Sequence, residues 1–136
     1  MITAVDTSVL IDVFASDQTF RDSSEGALRL AIDEGELIAC EVVWAEVVAA
    51  FGTPSRAHEG MAELGVRFSG VDLVAASAAG AAWKSYRREG GARSRLIGDF
   101  LVGAHAKHQA DRLLTRDRGF YRAYFRDLAI IDPTPR

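Results

Sequence analysis

Apolar and polar positions along this chain follow two different rhythms, and the switches between them mark out short strands and longer helices. Residues 2–5 are an apolar run with two β-branched aliphatics, closed by Asp6-Thr7-Ser8, after which Val9-Leu10-Ile11-Asp12-Val13-Phe14 takes up helical spacing. That reads as strand, capped turn and helix. Ala27, Leu28, Ala31 and Ile32 place a helix over 21–34, with Gly35 as its C-cap. A strand at 37–39 precedes a helix over 42–51, closed by Gly52-Thr53-Pro54 because Pro54 prevents smooth continuation. Further helices are predicted at 55–64, 72–88, 98–108 and 120–124, with strands at 66–68, 112–115 and 128–131.

Alternating strands and helices imply parallel strands joined by right-handed crossovers, with helices on both faces. The expected fold is α/β, a three-layer α/β/α sandwich around a central parallel sheet. The length of 136 residues suits one domain spanning 1–136, with no repeat, low-complexity tract or linker.

About half of the residues are apolar, enough for a sizeable core without cross-links. The single cysteine, Cys40, cannot form an internal disulfide and asks for no oxidising compartment. The first residues carry no basic segment and meet Asp6 before a long apolar run develops, so no signal peptide is expected. No stretch approaches the roughly 20 apolar residues of a membrane span. A soluble, cytoplasmic protein without a membrane partner is the expectation.

The net charge of −3 argues mildly against a nucleic-acid partner, but its distribution changes that picture. Residues 1–83 hold 4 basic and 13 acidic side chains, a net of −9, whereas residues 84–136 hold 12 basic and 6 acidic, a net of +6. The C-terminal part is suited to face a polyanion.

In an open parallel sheet, ligands bind at the carboxyl ends of strands, near the point where strand order reverses. Asp6 closes the first strand, Asp117 follows the strand at 112–115, and Asp99 opens the helix predicted at the same edge. Glu46 reaches them from its helix, where helical spacing places it beside Val42, Val43 and Ala50 on an apolar stripe. A carboxylate there is costly unless paired. Four converging carboxylates raise one another's pKa and call for shared protons or a cation. Magnesium suits such oxygen donors, activates water and neutralises charge on a phosphate ester. Thr7, Ser8 and Thr115 stand beside the acids, placed to bond the carboxylates or a phosphate.

Three of the acids also have a plain structural role open to them, while Glu46 is the hardest to explain structurally and so favours function. Asp6 and Asp99 serve equally as helix caps, and Asp117 in Thr-Arg-Asp-Arg-Gly as a turn residue. One strand edge accounts for all of them together, and a cap or turn explains each of these three alone.

The segments Asp6-Thr7-Ser8-Val9-Leu10-Ile11-Asp12, Ala45-Glu46-Val47, Ile97-Gly98-Asp99-Phe100-Leu101-Val102-Gly103-Ala104-His105-Ala106 and Leu113-Leu114-Thr115-Arg116-Asp117-Arg118-Gly119-Phe120 resemble, in this order, the successive motifs of PIN-domain proteins. Order and length are similar to the VapC toxins of bacterial toxin–antitoxin pairs. The resemblance implies a magnesium-dependent endoribonuclease, with manganese as a substitute, commonly a homodimer and held inactive by a cognate antitoxin. It implies metal ligation by Asp6 and Asp99, with Glu46 and Asp117 completing the acidic cluster.

Two rivals remain at this stage. One is a PIN-like module that binds RNA or a partner without catalysis. The other is a phosphohydrolase of the haloacid-dehalogenase type, which normally carries a second Asp where this chain has Ser8. Ser8 lacks the Gly-x-Ser-x-Gly setting of a nucleophile. Arg87, Arg88, Arg93 and Arg95 surround Gly90-Gly91 and suit either phosphate contact or a solvated loop, with phosphate contact favoured, above all at Arg93 and Arg95. Tyr121, Tyr124 and Phe125, near Arg116, Arg118 and Arg122, suit base stacking, although such aromatics are more often core. His58, His105, His108 and Cys40 read as structural or surface residues, and Trp44 and Trp83 as packing or interface residues.

Overall fold

The structure is a computed structural model that describes residues 1–91 and 95–135. Five strands and seven helices are found among the described residues: β1 Ile2–Val5, α1 Thr7–Phe14, α2 Arg21–Glu34, β2 Glu36–Ala39, α3 Glu41–Phe51, α4 Pro54–Leu64, β3 Val66–Phe68, α5 Leu73–Arg88, α6 Ile97–Gln109, β4 Arg112–Leu114, α7 Arg118–Tyr124 and β5 Ile130–Ile131. The sheet is parallel throughout, in the order β3-β2-β1-β4-β5. Right-handed crossovers then place α1–α4 over one face and α5–α7 over the other, a three-layer α/β/α sandwich.

Local chemistry explains most element boundaries. Asp6 enters α1 in extended conformation, and Asp72 caps α5 by accepting the Ala75 N–H at 2.9 Å. Pro54 ends the path from α3 and starts α4 as its first residue, where a missing N–H costs nothing. Between them Gly52, at φ +78°, closes α3 in the left-handed region that a side chain resists.

β1 lies between β2 and β4, with Thr3, Ala4 and Val5 buried. Around it pack Leu37, Ile38, Leu113 and Leu114, all buried, each worth about 1.5–3 kcal/mol relative to exposure. On the other side, α6 runs so close to Phe125 that a Cβ at Gly103 would collide with its ring. The last strand is shorter than expected. Leu128 donates its N–H to Phe125 O at 3.0 Å and belongs to a turn, so only Ile130 and Ile131 pair with β4. No helix among the described residues is long and apolar enough to cross a membrane.

The chain runs β1 to β2 to β3 in one direction and then returns to place β4 on the far side of β1. Strand order therefore reverses between β1 and β4. The crevice beyond their carboxyl ends is where an open sheet of this kind binds ligands.

Candidate active site

Beyond β1 and β4 the chain ends are tied together before any side chain is considered. The Asp6 N–H donates to Leu114 O at 2.9 Å, and the Thr115 N–H donates to Ile131 O at 3.0 Å. These bonds prolong the strand ladder by one residue and set Asp6 against Thr115. The fully buried Thr115 is the hinge of the site: its hydroxyl donates to Asp6 Oδ2 at 2.7 Å and accepts the Asp117 N–H at 3.0 Å. Asp6 Oδ1 accepts the Thr7 N–H at 2.8 Å, and the Tyr121 hydroxyl reaches Oδ2 at 3.4 Å.

The other acids arrive from three elements. Glu46, on α3, accepts a hydrogen bond from the Thr7 hydroxyl at 3.1 Å. Asp99, in the first turn of α6, accepts the Leu96 N–H at 3.1 Å and so also acts as a cap. Asp117 precedes α7, where its side chain makes no capping bond, and instead pairs with Arg95 Nη1 at 2.6 Å. Burial pushes the Asp6 carboxyl above its ordinary pKa; bonds from Thr115 and Thr7 oppose this, and the charges of Glu46 and Asp117 reinforce it. Burial likewise lifts the Tyr121 hydroxyl well above 10, with Asp6, Asp99 and Asp117 adding to it. Asp6, Glu46, Asp99 and Asp117 thus act on one neighbourhood.

One expectation needs correcting. Glu46 does not lie on a buried apolar stripe: it is exposed, as are Ala45, Ala49 and Ala50. Val43 and Val47 form the buried face of α3, and the small alanines belong to its open side. Glu46 therefore stands at the rim, with no desolvation to offset. Thr7 and Thr115 do bond the acids as their positions suggested, and Ser8 Oγ is buried with no hydrogen-bond partner among the described residues. Arg95 contacts an acid, and Arg93 lies outside the described residues. Tyr121 and Phe125 are core residues rather than open stacking platforms. His105 is buried and hydrogen-bonded to the Ser69 hydroxyl at 3.1 Å, while Trp44 packs against Phe68 and His58.

A supporting pair escaped the reading of the sequence. Asp12, on α1, is buried and takes both oxygens to Arg116, at 2.8 Å from Nε and 2.9 Å from Nη2. Ser24 of α2 donates a further bond at 2.8 Å, and the Arg116 guanidinium lies 4.0 Å from the centre of the Phe20 ring. Arg116 sits between Thr115 and Asp117, so this pair anchors their loop to α1 and α2. The signal was an acid on an otherwise apolar helix, Asp12 among Val9, Leu10 and Val13.

The donors suit a hard cation. The carboxylates of Asp6, Glu46, Asp99 and Asp117 are oxygen ligands of the kind magnesium and manganese take, without the imidazole or thiolate that would favour zinc. Among the described residues no three acids, histidines or cysteines stand together as a ready-made cage. Asp6, Asp99 and Asp117 each accept a hydrogen bond from a donor of the protein.

Several solved structures share this fold at low sequence identity. VapBC2 from Rickettsia felis, bound to a DNA fragment from its promoter, superposes with a TM-score of 0.75 at 16% identity, over 97% of this chain and 98% of that one. A toxin–antitoxin complex from Klebsiella pneumoniae gives 0.67 at 18% identity, over 96% and 97%. VapBC-1 from nontypeable Haemophilus influenzae gives 0.73 at 17%, over 99% and 100%. No curated protein sequence matches the chain. The family model of the PIN domain matches residues 3–126 and spans all four acids of the crevice, so the chain belongs to the PIN domain family.

Proposed function

We propose that this chain is a metal-dependent endoribonuclease, the toxin of a VapBC-type toxin–antitoxin pair. The observation that carries the reading is the hydrogen-bond and electrostatic coupling of Asp6, Glu46, Asp99 and Asp117 at the reversal point between β1 and β4. In this reading Asp6 and Asp99 hold Mg2+, for which Mn2+ substitutes, while Asp117 assists and Glu46 holds metal or orients water. The ion supplies an activated water and charge neutralisation for hydrolysis of an RNA phosphodiester, leaving a 5′-phosphate and a 3′-hydroxyl. Thr115 and Thr7 hold the Asp6 carboxylate in the crevice, where it would receive the cation. Substrate contact falls to Thr7, Arg93 and Arg95, whereas Thr115 is fully buried and the Ser8 hydroxyl is closed to solvent, so these two support the site from behind.

The VapBC structures support a cognate antitoxin as partner, and the proposal extends to a homodimer of single-domain chains, residues 1–136, in the cytoplasm. One observation favours a second reading, a PIN domain that binds RNA or a partner without cutting: Arg95 occupies Asp117. Incubation of purified chain with total RNA and Mg2+ separates the two. Asp6→Ala and Asp99→Ala should lower cleavage by roughly a hundredfold or more while circular dichroism stays native. Full activity in either folded variant overturns the metal-nuclease reading, and inertness of the wild type with both metals favours the binding module.

A further inference from the structure

Arg95 stands out because of what it touches. Its Nη1 lies 2.6 Å from Asp117 Oδ2, and its guanidinium carbon lies 4.3 Å from the centre of the Phe120 ring. Asp99 also attracts it. Among the described residues no other basic side chain forms an ion pair with Asp6, Glu46, Asp99 or Asp117. Among the described residues, one guanidinium is thus the ion-paired positive charge at the acidic site, set against Asp117 and Asp99.

The contact is built to open. It uses a single carboxylate oxygen, and the side chains are 30% and 41% exposed, so water competes on both sides. A divalent cation ligated by Asp117 Oδ2 at about 2 Å would stand within roughly 4 Å of the guanidinium nitrogen, and the two positive charges would repel. Asp117 Oδ2 therefore serves one of them at a time.

We infer that Arg95 is the resident counter-ion of the acidic site, displaced from Asp117 by the divalent cation and thereby released toward the next anion in the crevice, a phosphodiester. Metal loading and the presentation of a substrate-binding arginine are then the same event. This inference rests on the metal-site reading above and adds to it how the site is regulated: the chain carries its own competitor for the metal.

The test reads metal binding rather than cleavage. Free Mn2+ is measured by electron paramagnetic resonance during titration of full-length wild type, Arg95→Gln, Asp117→Asn and the double variant, each checked for native near-ultraviolet circular dichroism. Arg95→Gln should bind Mn2+ roughly fivefold more tightly than wild type, the range of a part-exposed charge pair. In the Asp117→Asn background the same substitution should bring a smaller gain. Unchanged affinity in Arg95→Gln overturns the inference, and weaker affinity does so too by making Arg95 a support for Asp117. An equal gain without Asp117 overturns exchange at that carboxylate. Absence of saturable Mn2+ binding in wild type and Arg95→Gln alike overturns the metal site itself, and this inference with it.

Discussion

Two arginine–aspartate pairs flank the site, and they are built in opposite ways. Arg116 grips Asp12 through both carboxylate oxygens, with Asp12 3% exposed, a serine hydroxyl as a third partner and an aromatic ring against the guanidinium. Arg95 meets Asp117 through one oxygen, with both side chains a third or so open to water. The first pair is a staple joining α1, α2 and the loop after β4. The second is a contact whose loss exposes little and frees a ligand. Burial of the acid decides the difference, since the two arginines are almost equally open at 28% and 30%: a carboxylate taken out of water is held by the cost of leaving it unpaired, and one in water is not.

The sharpest way to break this comparison is Asp12→Ala, which leaves the Arg116 guanidinium without its partner. Unfolding by urea should show a loss of about 3 kcal/mol, and a loss below 1 kcal/mol would mean that the pair is no staple.

A smaller effect of opposite sign is expected at Asp6. Its folded-state pKa is raised, first by burial, so from the ordinary value of 3.8 upward the folded chain binds more protons than the unfolded one. Its contribution to stability is greatest below that window and is lost as pH rises through it. Asp6→Asn should therefore raise the Tm of metal-free protein at neutral pH by roughly 3 °C. The gap from wild type should close on acidification in EDTA. A gap that widens in acid would contradict the burial of this carboxylate.

Smallest of all is Arg95→Ala, which should shift the urea midpoint by the equivalent of less than about 1 kcal/mol. A loss matching that of Asp12→Ala would erase the contrast between the two pairs.

The elements were readable before any fold was known, because their signals act over a few residues. Helical spacing at Ala27, Leu28, Ala31 and Ile32 marked α2, and Gly52-Thr53-Pro54 marked the break between α3 and α4. The candidate acids were readable for a related reason: Asp6, Asp99 and Asp117 each stand at an element boundary, and boundaries come from local patterns. Glu46 was singled out for the wrong cause, since an alanine-rich face has the same apolar rhythm whether or not it is covered.

Composition, periodicity and capping thus sufficed for an α/β chain with acids at strand and helix ends. They could not order the strands, because β1 followed by β2 and β3 is compatible with β4 on either edge. The placement of β4 beside β1 created the crevice and brought Thr115 to Asp6, 109 residues apart. The same folding set Arg116 on Asp12 across 104 residues and Arg95 on Asp117 across 22. Which acid is stapled and which is left to exchange depends on how much water each carboxylate retains, and that is a property of packing between distant segments, with no counterpart in the order of residues.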